Sequence, residues 1–228
     1  KAAAMVQDMI DTQENPTIAP YAKTGEVHFR VTAQAQNEKE GKKLVKPVVK
    51  ELKHRFGQAV FATKEEETLE KALADLLLEK GLTISFAESC TGGMIAGRLV
   101  NVPGVSKAFG TGYVTYSNKA KRKLLGVKKS TLKQFGAVSV QTAKEMAQGA
   151  LLASGADVAV SVTGIAGPDG GTDKKPVGLV YIGCCVQGRT FVQEYHFPGN
   201  REKIRESTVA AALTFARSCL LEYTGEKG

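Results

Sequence analysis

Metal ligands and disulfide partners are scarce in this 228-residue sequence, which has four cysteines and three histidines. It contains no CxxC pair, and the histidines lie far apart without the spacing of a metal site. Cys184 and Cys185 are neighbours in a strand-like run, so their side chains should point to opposite faces, while Cys90 and Cys219 stand alone. We therefore expect reduced, mostly buried thiols, with no disulfide framework, no metal and no cofactor.

Long apolar runs are also missing. No stretch approaches the roughly 18 residues that a membrane span requires. No segment combines a basic start, an apolar core and a small-residue cleavage site. We therefore expect a cytoplasmic protein that does not bind a membrane. The first residue is Lys1 rather than Met, so we expect the sequence to be part of a longer chain.

The net charge of +8 raises the question of a nucleic-acid or other anionic partner. Residues 1–65 carry 11 Lys and Arg against 8 Asp and Glu, and residues 66–228 carry 20 against 15. The excess is thus spread over both parts, and interleaved charge of this kind is typical of a solvated surface. On this count nucleic-acid binding is not expected, whereas an anionic small molecule remains a suitable partner.

The first part of the chain reads as a small α+β domain over residues 1–65. Apolar residues on one side predict a helix over 1–13, and period-two alternation from Glu26 predicts a half-buried strand. Residues 38–56 have helical spacing, and 59–61 resemble a short strand. The expected order is therefore helix, strand, helix, strand.

From Glu66 onward, helices alternate with largely apolar strands. The predicted elements are a helix ending at Gly81, a strand at 82–87, a helix opening at Gly92-Gly93, a strand through Tyr113 and Tyr116, helices at 117–125 and 140–154, strands at 157–163, 177–187 and 190–197, and a helix over 200–222. This order predicts an α/β fold, a three-layer α/β/α sandwich with a mixed sheet, over residues 66–228. The consecutive strands at 177–197 predict an antiparallel edge hairpin.

The strand ending at Ala87 is followed by Glu88-Ser89-Cys90-Thr91-Gly92-Gly93 and then by a helix. A hydroxyl at this junction lies at the carboxyl edge of the sheet, where α/β proteins bind ligands. The two glycines permit a tight turn and leave the first helical N–H groups available for an anion or an oxyanion. The simpler alternative is that Ser89 or Thr91 only caps the helix.

A second candidate segment contains Tyr116 at the end of a strand and Lys121 in the first turn of the next helix. The positive end of the helix dipole should lower the pKa of a lysine there, and burial would lower it further. A neutral amine can serve as the base for a serine nucleophile where no histidine is available. The alternative is an ordinary surface lysine.

A third segment, residues 160–171, joins an apolar strand to a loop that contains Thr163, Gly164 and Gly167. The glycines would let a ligand approach backbone N–H groups. The segment lacks the Lys-Ser or Lys-Thr of a P-loop, and no helix follows as in a dinucleotide-binding fingerprint. A flexible surface turn is the alternative interpretation.

Taken together, these segments resemble the carboxy-terminal domain of the CinA family over residues 66–223. The motifs that carry the resemblance, in order, are Ala87-Glu-Ser-Cys-Thr-Gly-Gly93, Val114-Thr-Tyr-Ser-Asn118, Gly136-Ala-Val-Ser139, Thr163-Gly-Ile-Ala-Gly-Pro-Asp-Gly-Gly171, Lys174-Lys-Pro-Val-Gly178 and the stretch from Gly199-Asn-Arg201 to Arg205. Residues 1–65 resemble the small KH-like domain that precedes it in CinA proteins. The usual GxxG loop is incomplete at Gly41-Lys-Lys-Leu44, which argues against nucleic-acid binding.

The resemblance implies hydrolysis of the carboxamide of nicotinamide mononucleotide to the acid and ammonia, a step of pyridine nucleotide recycling. Ser89 would be the nucleophile, Lys121 its base and Tyr116 an aid to proton transfer. The residues expected to bind or polarise the substrate are Thr91, Gly92, Gly93, Ser106, Thr163, Gly164 and Gly167, with Arg201 or Arg205 on its anionic part. We also expect a homodimer and a site without a metal.

Two alternatives stay open at this point. Cys90 is next to Ser89 and is intrinsically the more reactive nucleophile. The chain could also be a non-catalytic binding or regulatory module of a competence- or damage-linked protein.

Overall fold

A two-stranded hairpin and one long helix dominate the first of two compact units, Lys1–Thr63 and Lys64–Gly228. The structure, a computed structural model, describes residues 2–64 and 67–223. In the first unit, a 3-10 turn at Ala3–Val6 leads into helix α1 (Gln7–Asp11). Strands β1 (Thr17–Lys23) and β2 (Glu26–Thr32) then pair antiparallel.

Helix α2 (Glu38–Phe56) has the bounds expected from its sequence, and it is followed by a 3-10 turn at Gly57–Ala59. Asn37 caps α2, because its side chain accepts a hydrogen bond from Glu40 N. The strand expected at 59–61 is wrong. Among the described residues of this unit the sheet consists only of β1 and β2, and without a neighbouring ladder residues 60–62 have no regular structure. Strand β1, which contains Pro20, was not expected from the sequence.

The second unit is a mixed five-stranded sheet with helices on both faces. Its elements are α3 (Leu69–Lys80), β3 (Ile84–Glu88), α4 (Met94–Leu99), a 3-10 turn (Val105–Lys107), β4 (Phe109–Val114), α5 (Asn118–Leu125), α6 (Lys129–Phe135), α7 (Val140–Ser154), β5 (Val158–Gly164), β6 (Leu179–Val186), β7 (Arg189–His196) and α8 (Arg201–Tyr223). The strand order is β4-β3-β5-β6-β7. Strands β4, β3 and β5 are parallel, and β6 and β7 form the antiparallel hairpin that was predicted.

Two neighbouring cysteines show which helices cover which face. Cys184 lies near Cys219 of α8, whose thiol interacts with it, whereas Cys185 accepts a hydrogen bond from Thr190, which also contacts Gln148 of α7. Their opposite orientation was predicted from strand geometry and is confirmed. The α/β class and the mixed sheet are likewise confirmed.

Two local features differ from the sequence-based expectations. Strand β4 ends at Val114, so Tyr116 lies in the connection to α5 and does not close a strand. Helix α6 was not expected. The helix predicted to end at Gly81 begins at Leu69, where Thr68 caps it, and ends at Lys80 as expected, whereas the expected domain boundary at 65/66 lies outside the described residues. Within residues 2–64 and 67–223 no helix is long and apolar enough to cross a membrane.

Candidate active site

The candidate site lies at one edge of the five-stranded sheet. Because β3, β4 and β5 are parallel, their carboxyl ends meet at this edge. The antiparallel strand β7 also ends there, since its His196 is paired with Leu179 at the start of β6. Helix α8 begins at the same edge. Its Arg201 contacts the loop after β5, and its Arg205 contacts the turn after β3.

The Ser89 hydroxyl and the Lys121 amine form the centre of this edge. Lys121 Nζ lies 2.9 Å from Ser89 Oγ. It also lies 2.8 Å from the backbone oxygen of Thr115 and 3.3 Å from that of Tyr116. Lys121 is 1% exposed and Ser89 is 8% exposed, so bulk water has little access to either group.

Burial lowers the pKa of Lys121 from 10.5 to about 8, and the nearby Cys90 offsets this only in part. Removing an ammonium from water without a carboxylate partner disfavours its charged form. Lys121 follows Ser117, the N-cap of α5, whose side chain accepts a hydrogen bond from Ala120 N. The sequence thus places this lysine in the first helical turn, and the tertiary fold buries it.

Strand alternation directs Ser89 towards Lys121. Ala87 belongs to an apolar cluster with Leu125 of α5 and Met146 of α7, and Ser89, two residues further on, points to the same face. The backbone of Ser89 is fixed as well, because its N–H donates to Val162 O of β5 at 3.1 Å.

In the turn between β3 and α4, the backbone N–H groups of the two glycines, which were expected to be available for a ligand, are hydrogen-bonded within the protein. Gly92 N donates to Ser89 O, and Gly93 N donates to Glu88 Oε2 at 2.9 Å. The two glycines have φ values of +62° and +98°, which explains why this turn needs glycine. Their expected role as oxyanion donors is therefore not supported by the geometry.

Cys90, the neighbour of Ser89 in the turn, is 5% exposed. Burial raises the pKa of its thiol to about 11, even though Lys121 nearby lowers it somewhat. The turn is held there by Arg205 of α8, which donates from Nε to Cys90 O and from Nη2 to Thr91 O, both at 3.0 Å. The Thr91 side chain is buried, and its hydroxyl has no hydrogen-bond partner among the residues that the structure describes.

Arg201 connects two of the other expected site residues. Its Nη1 donates to Gly167 O at 2.7 Å, and its Nη2 donates to the Tyr116 hydroxyl at 3.1 Å. The Tyr116 ring is 60% exposed, and its hydroxyl contacts Arg201 rather than Ser89 or Lys121. The backbone oxygen of Tyr116, not its phenol, therefore contacts the Lys121 amine.

In the loop after β5, the expected ligand contacts are mostly packing contacts. Thr163 is 1% exposed and donates to Ala137 O at 2.7 Å. A Cβ at Gly164 would lie 2.6 Å from Val180 Cγ2, and one at Gly167 would lie 2.6 Å from Val177 Cγ1. Glycine is needed at both positions because other residues of the same chain pack closely against them. This packing explains the two glycines without a ligand.

Ser106 is the expected site residue that a single chain does not bring to this edge. It lies in the 3-10 turn before β4, two residues before Ala108, whose carbonyl accepts from the N–H of Ile84 at the start of β3. Since β3 and β4 are parallel, Ser106 and Ser89 lie at opposite edges of the sheet. The geometry of one chain therefore gives no support to a substrate contact by Ser106.

Sequence reasoning missed two features of the site. Glu88 was quoted in a motif without a role, although a buried strand that ends in a carboxylate is itself a signal. The basic side chains are also less evenly distributed than the counts for residues 1–65 and 66–228 indicate. Residues 89–144 contain ten Lys and Arg and no Asp or Glu, so the other residues carry 21 basic against 23 acidic side chains.

The positive excess thus comes from one stretch instead of being spread along the chain, which a division at residue 65 could not reveal. This stretch contains α5, which supplies Lys121. Its exposed basic side chains on and beside α5 and α6 are Lys119, Arg122, Lys123, Lys128, Lys129 and Lys133. No cluster of three or more potential metal ligands occurs among the described residues.

Comparisons with known proteins agree with the two units. Residues 66–220 match the family profile described as the CinA C-terminal domain, and residues 1–62 match the one described as the damage-inducible protein CinA KH domain. A competence-damage inducible protein of Clostridium novyi is 49% identical over 97% of this chain and 53% of its own length. A CinA-like protein of Kosmotoga olearia is 50% identical over 95% of this chain and 52% of its length. The chain therefore spans about half the length of these curated relatives.

Solved structures match about two thirds of the chain. A competence/damage inducible protein of Agrobacterium tumefaciens is 44% identical, with a TM-score of 0.63, over 68% of this chain and 98% of that one. A CinA superfamily protein of Klebsiella pneumoniae is 35% identical, with a TM-score of 0.66, over 68% of this chain and 97% of that one. Both the sequence profiles and the structures lead to the same conclusion. The chain belongs to the CinA family.

Proposed function

We propose that this chain is a nicotinamide mononucleotide deamidase in which Ser89 is the nucleophile and Lys121 its base. The observation that carries the proposal is the buried contact of 2.9 Å between Lys121 Nζ and Ser89 Oγ. The pKa of that lysine, lowered to about 8, adds to it. The relatives named above are described by competence and damage and not by a reaction, so the substrate follows from the family resemblance together with the chemistry of the site.

The contacts of Lys121 suit both of its protonation states. In the neutral amine, two N–H groups can donate to the carbonyl oxygens of Thr115 and Tyr116, and the lone pair is left to accept from the Ser89 hydroxyl. In the ammonium form, a third N–H group can donate to Ser89 Oγ. The amine can therefore take up and return a proton along one axis without rearranging its other hydrogen bonds.

An anionic substrate suits the surroundings of this pair. The acid-free stretch 89–144 includes α5, which supplies Lys121, and such an excess of positive charge raises the local concentration of an anion. Arg201 is the more exposed of the two arginines, whereas Arg205 already holds the turn through Cys90 O and Thr91 O. We therefore assign the anionic part of the nucleotide to Arg201 and a positioning role to Arg205.

The reaction then proceeds through an acyl-enzyme. Lys121 removes the proton of Ser89 as Oγ attacks the carboxamide carbon, and it returns that proton to the departing ammonia. Water, with Lys121 again as base, cleaves the ester to nicotinate mononucleotide. Since Gly92 and Gly93 have used their N–H groups, the amides of Cys90 and Thr91 are the donors of this turn that could face the oxyanion. A well-placed donor of this kind contributes roughly 3–4 kcal/mol.

The test is to incubate the chain with nicotinamide mononucleotide and to measure ammonia by a coupled assay and nicotinate mononucleotide by chromatography. We expect both products in equal amounts, and neither from Ser89→Ala. Ser130→Ala is the matched control, because this serine is exposed on α6, which carries none of the proposed catalytic groups, and its loss should leave the rate unchanged.

Each failure has a separate meaning. Ammonia release by Ser89→Ala would exclude the proposed nucleophile. A chain that binds nicotinamide mononucleotide in calorimetry but releases no ammonia would be a binding or regulatory module instead of an enzyme.

A further inference from the structure

The side chain of Glu88, the last residue of β3, is buried next to the proposed nucleophile. It is 1% exposed. Its Oε2 accepts from Gly93 N at 2.9 Å and from Ile95 N at 3.1 Å, and its Oε1 accepts from Ala96 N at 2.9 Å. An ionised carboxylate in such a position is costly unless hydrogen bonds satisfy it. Here the three amides at the start of α4 do so.

These bonds fix the turn that carries Ser89 at both ends. At the strand end, Thr115 N donates to Glu88 O at 2.8 Å. At the helix end, the Glu88 carboxylate binds the amides of residues 93, 95 and 96. Ser89 lies between the two attachments, so the position of its Oγ relative to Lys121 Nζ depends on the Glu88 side chain.

The same contacts separate Glu88 from the chemistry. Alternation along β3 directs Glu88 and Ser89 to opposite faces of the sheet, and no hydrogen bond joins the carboxylate to Ser89 or Lys121 among the described residues. Glu88 also occupies the start of α4 and so keeps an external anion from binding there. The geometry therefore suits Glu88 to supporting the nucleophile structurally and not to transferring a proton.

We propose that Glu88 is a positioning residue, which holds the Ser89 turn in its reactive conformation by binding the amides at the start of α4. This inference rests on the proposed function for its kinetic test and can also be tested without it. Glu145 offers a matched control, because its carboxylate accepts from Lys128 N at 2.8 Å and from Thr131 Oγ1 at 2.7 Å. It thus caps α6 in a similar way, but α6 carries none of the proposed catalytic groups.

The experiment compares Glu88→Gln, Glu88→Asp and Glu145→Gln in the 228-residue chain. Glutamine keeps the size of the side chain but presents an NH2 group to an amide N–H, and aspartate keeps the charge but is too short to reach all three amides. For both Glu88 variants we expect kcat to fall about 10- to 100-fold while KM changes less than about twofold, because a displaced nucleophile slows the chemical step. Glu145→Gln should lower the thermal midpoint and leave kcat unchanged.

A second readout does not depend on the substrate. A fluorophosphonate probe reacts with Ser89 Oγ, which displaces fluoride from phosphorus while Lys121 accepts the proton. Mass spectrometry gives the labelling rate. We expect both Glu88 variants to label at least about tenfold more slowly than the unsubstituted chain, and Glu145→Gln to label at the same rate.

The outcomes separate the two proposals. Normal labelling and kcat in either Glu88 variant, or an equal loss in Glu145→Gln, would overturn the role of Glu88. If the unsubstituted chain labels but releases no ammonia, the deamidase proposal fails and the labelling rates alone decide the role of Glu88. A chain that neither labels nor releases ammonia overturns both.

Discussion

Two glycine-rich segments lie at the same edge of the sheet, the turn after β3 and the loop after β5, and they differ in what their glycines do. In the turn, Gly92 and Gly93 have positive φ values, and they let the chain present Ser89 to Lys121. In the loop, Gly164 allows the close approach of Val180. Similar sequence patterns thus carry the proposed chemistry in one case and allow close packing in the other. What distinguishes the two segments is the set of buried polar contacts of the turn, in which Ser89 contacts Lys121 and Glu88 binds the amides at the start of α4.

The strongest test of the comparison removes the Lys121 amine, the proposed base for Ser89. Lys121→Ala should reduce ammonia release by about 1,000-fold or more, since no other base is within hydrogen-bonding distance of Ser89 Oγ in the described residues. Lys123→Ala, an exposed lysine on the same helix, is the control and should change the rate little. The rates are measured with saturating nicotinamide mononucleotide, and a Lys121→Ala protein with more than about a tenth of the normal rate would contradict the role of this amine.

The pH dependence should report the buried amine. Lys121 acts as a base only when neutral, and its pKa is lowered to about 8. Below that pH the neutral fraction rises about tenfold per unit, so kcat/KM should rise with pH and level off above about 8. A profile of kcat/KM from pH 6 to 10 checks this. A rate that falls with rising pH over this range would contradict it.

Alanine at the two kinds of glycine should separate chemistry from packing. Gly164→Ala should lower the free energy of unfolding by about 1–3 kcal/mol, because the new Cβ would lie 2.6 Å from Val180 Cγ2. The kcat of the folded protein should change little. Gly92→Ala should cost about 1–2 kcal/mol through backbone strain, yet lower kcat about tenfold by distorting the Ser89 turn. Urea unfolding measures the free energy of unfolding of each variant, and steady-state kinetics measures its kcat. A large loss of kcat in Gly164→Ala together with a normal kcat in Gly92→Ala would contradict the comparison.

The surface charge on α5 should affect binding of the anion more than chemistry. Replacing Lys119, Arg122 and Lys123 by glutamate reverses three charges on the exposed side of this helix. KM for nicotinamide mononucleotide should rise about three- to tenfold at low ionic strength, with kcat unchanged. The difference should shrink in about 0.5 M salt. If the triple variant and the unsubstituted chain have the same KM at both salt concentrations, the stretch 89–144 does not attract the substrate.

Cys90→Ala should have the smallest effect, a change of less than about twofold in kcat. The thiol is buried and its pKa is raised to about 11, so little thiolate is present near neutral pH. Iodoacetamide at pH 7.5 should accordingly leave the activity intact. Inactivation that the substrate prevents would instead identify Cys90 as the nucleophile.

Local signals were sufficient for most of the fold. Asn37, Ser117 and Ser139 were each followed by helices with nearly the predicted bounds, because a cap and helical periodicity act within one segment. The strand expected at 59–61 was wrong and β1 was missed, because pairing depends on a partner strand that a local pattern does not show.

Within the candidate site, the sequence alone determined the chemical groups, a serine in a tight glycine turn and a lysine in a first helical turn. The tertiary structure decided which groups meet. It buried Lys121 against Ser89, directed the Tyr116 hydroxyl to Arg201, used Arg205 to hold the turn and placed Ser106 at the other edge. The physical reason is that hydrogen bonding and desolvation depend on the distance between segments far apart in the chain. Residue type and spacing fix what a side chain can do, and the packed fold fixes whether it does it.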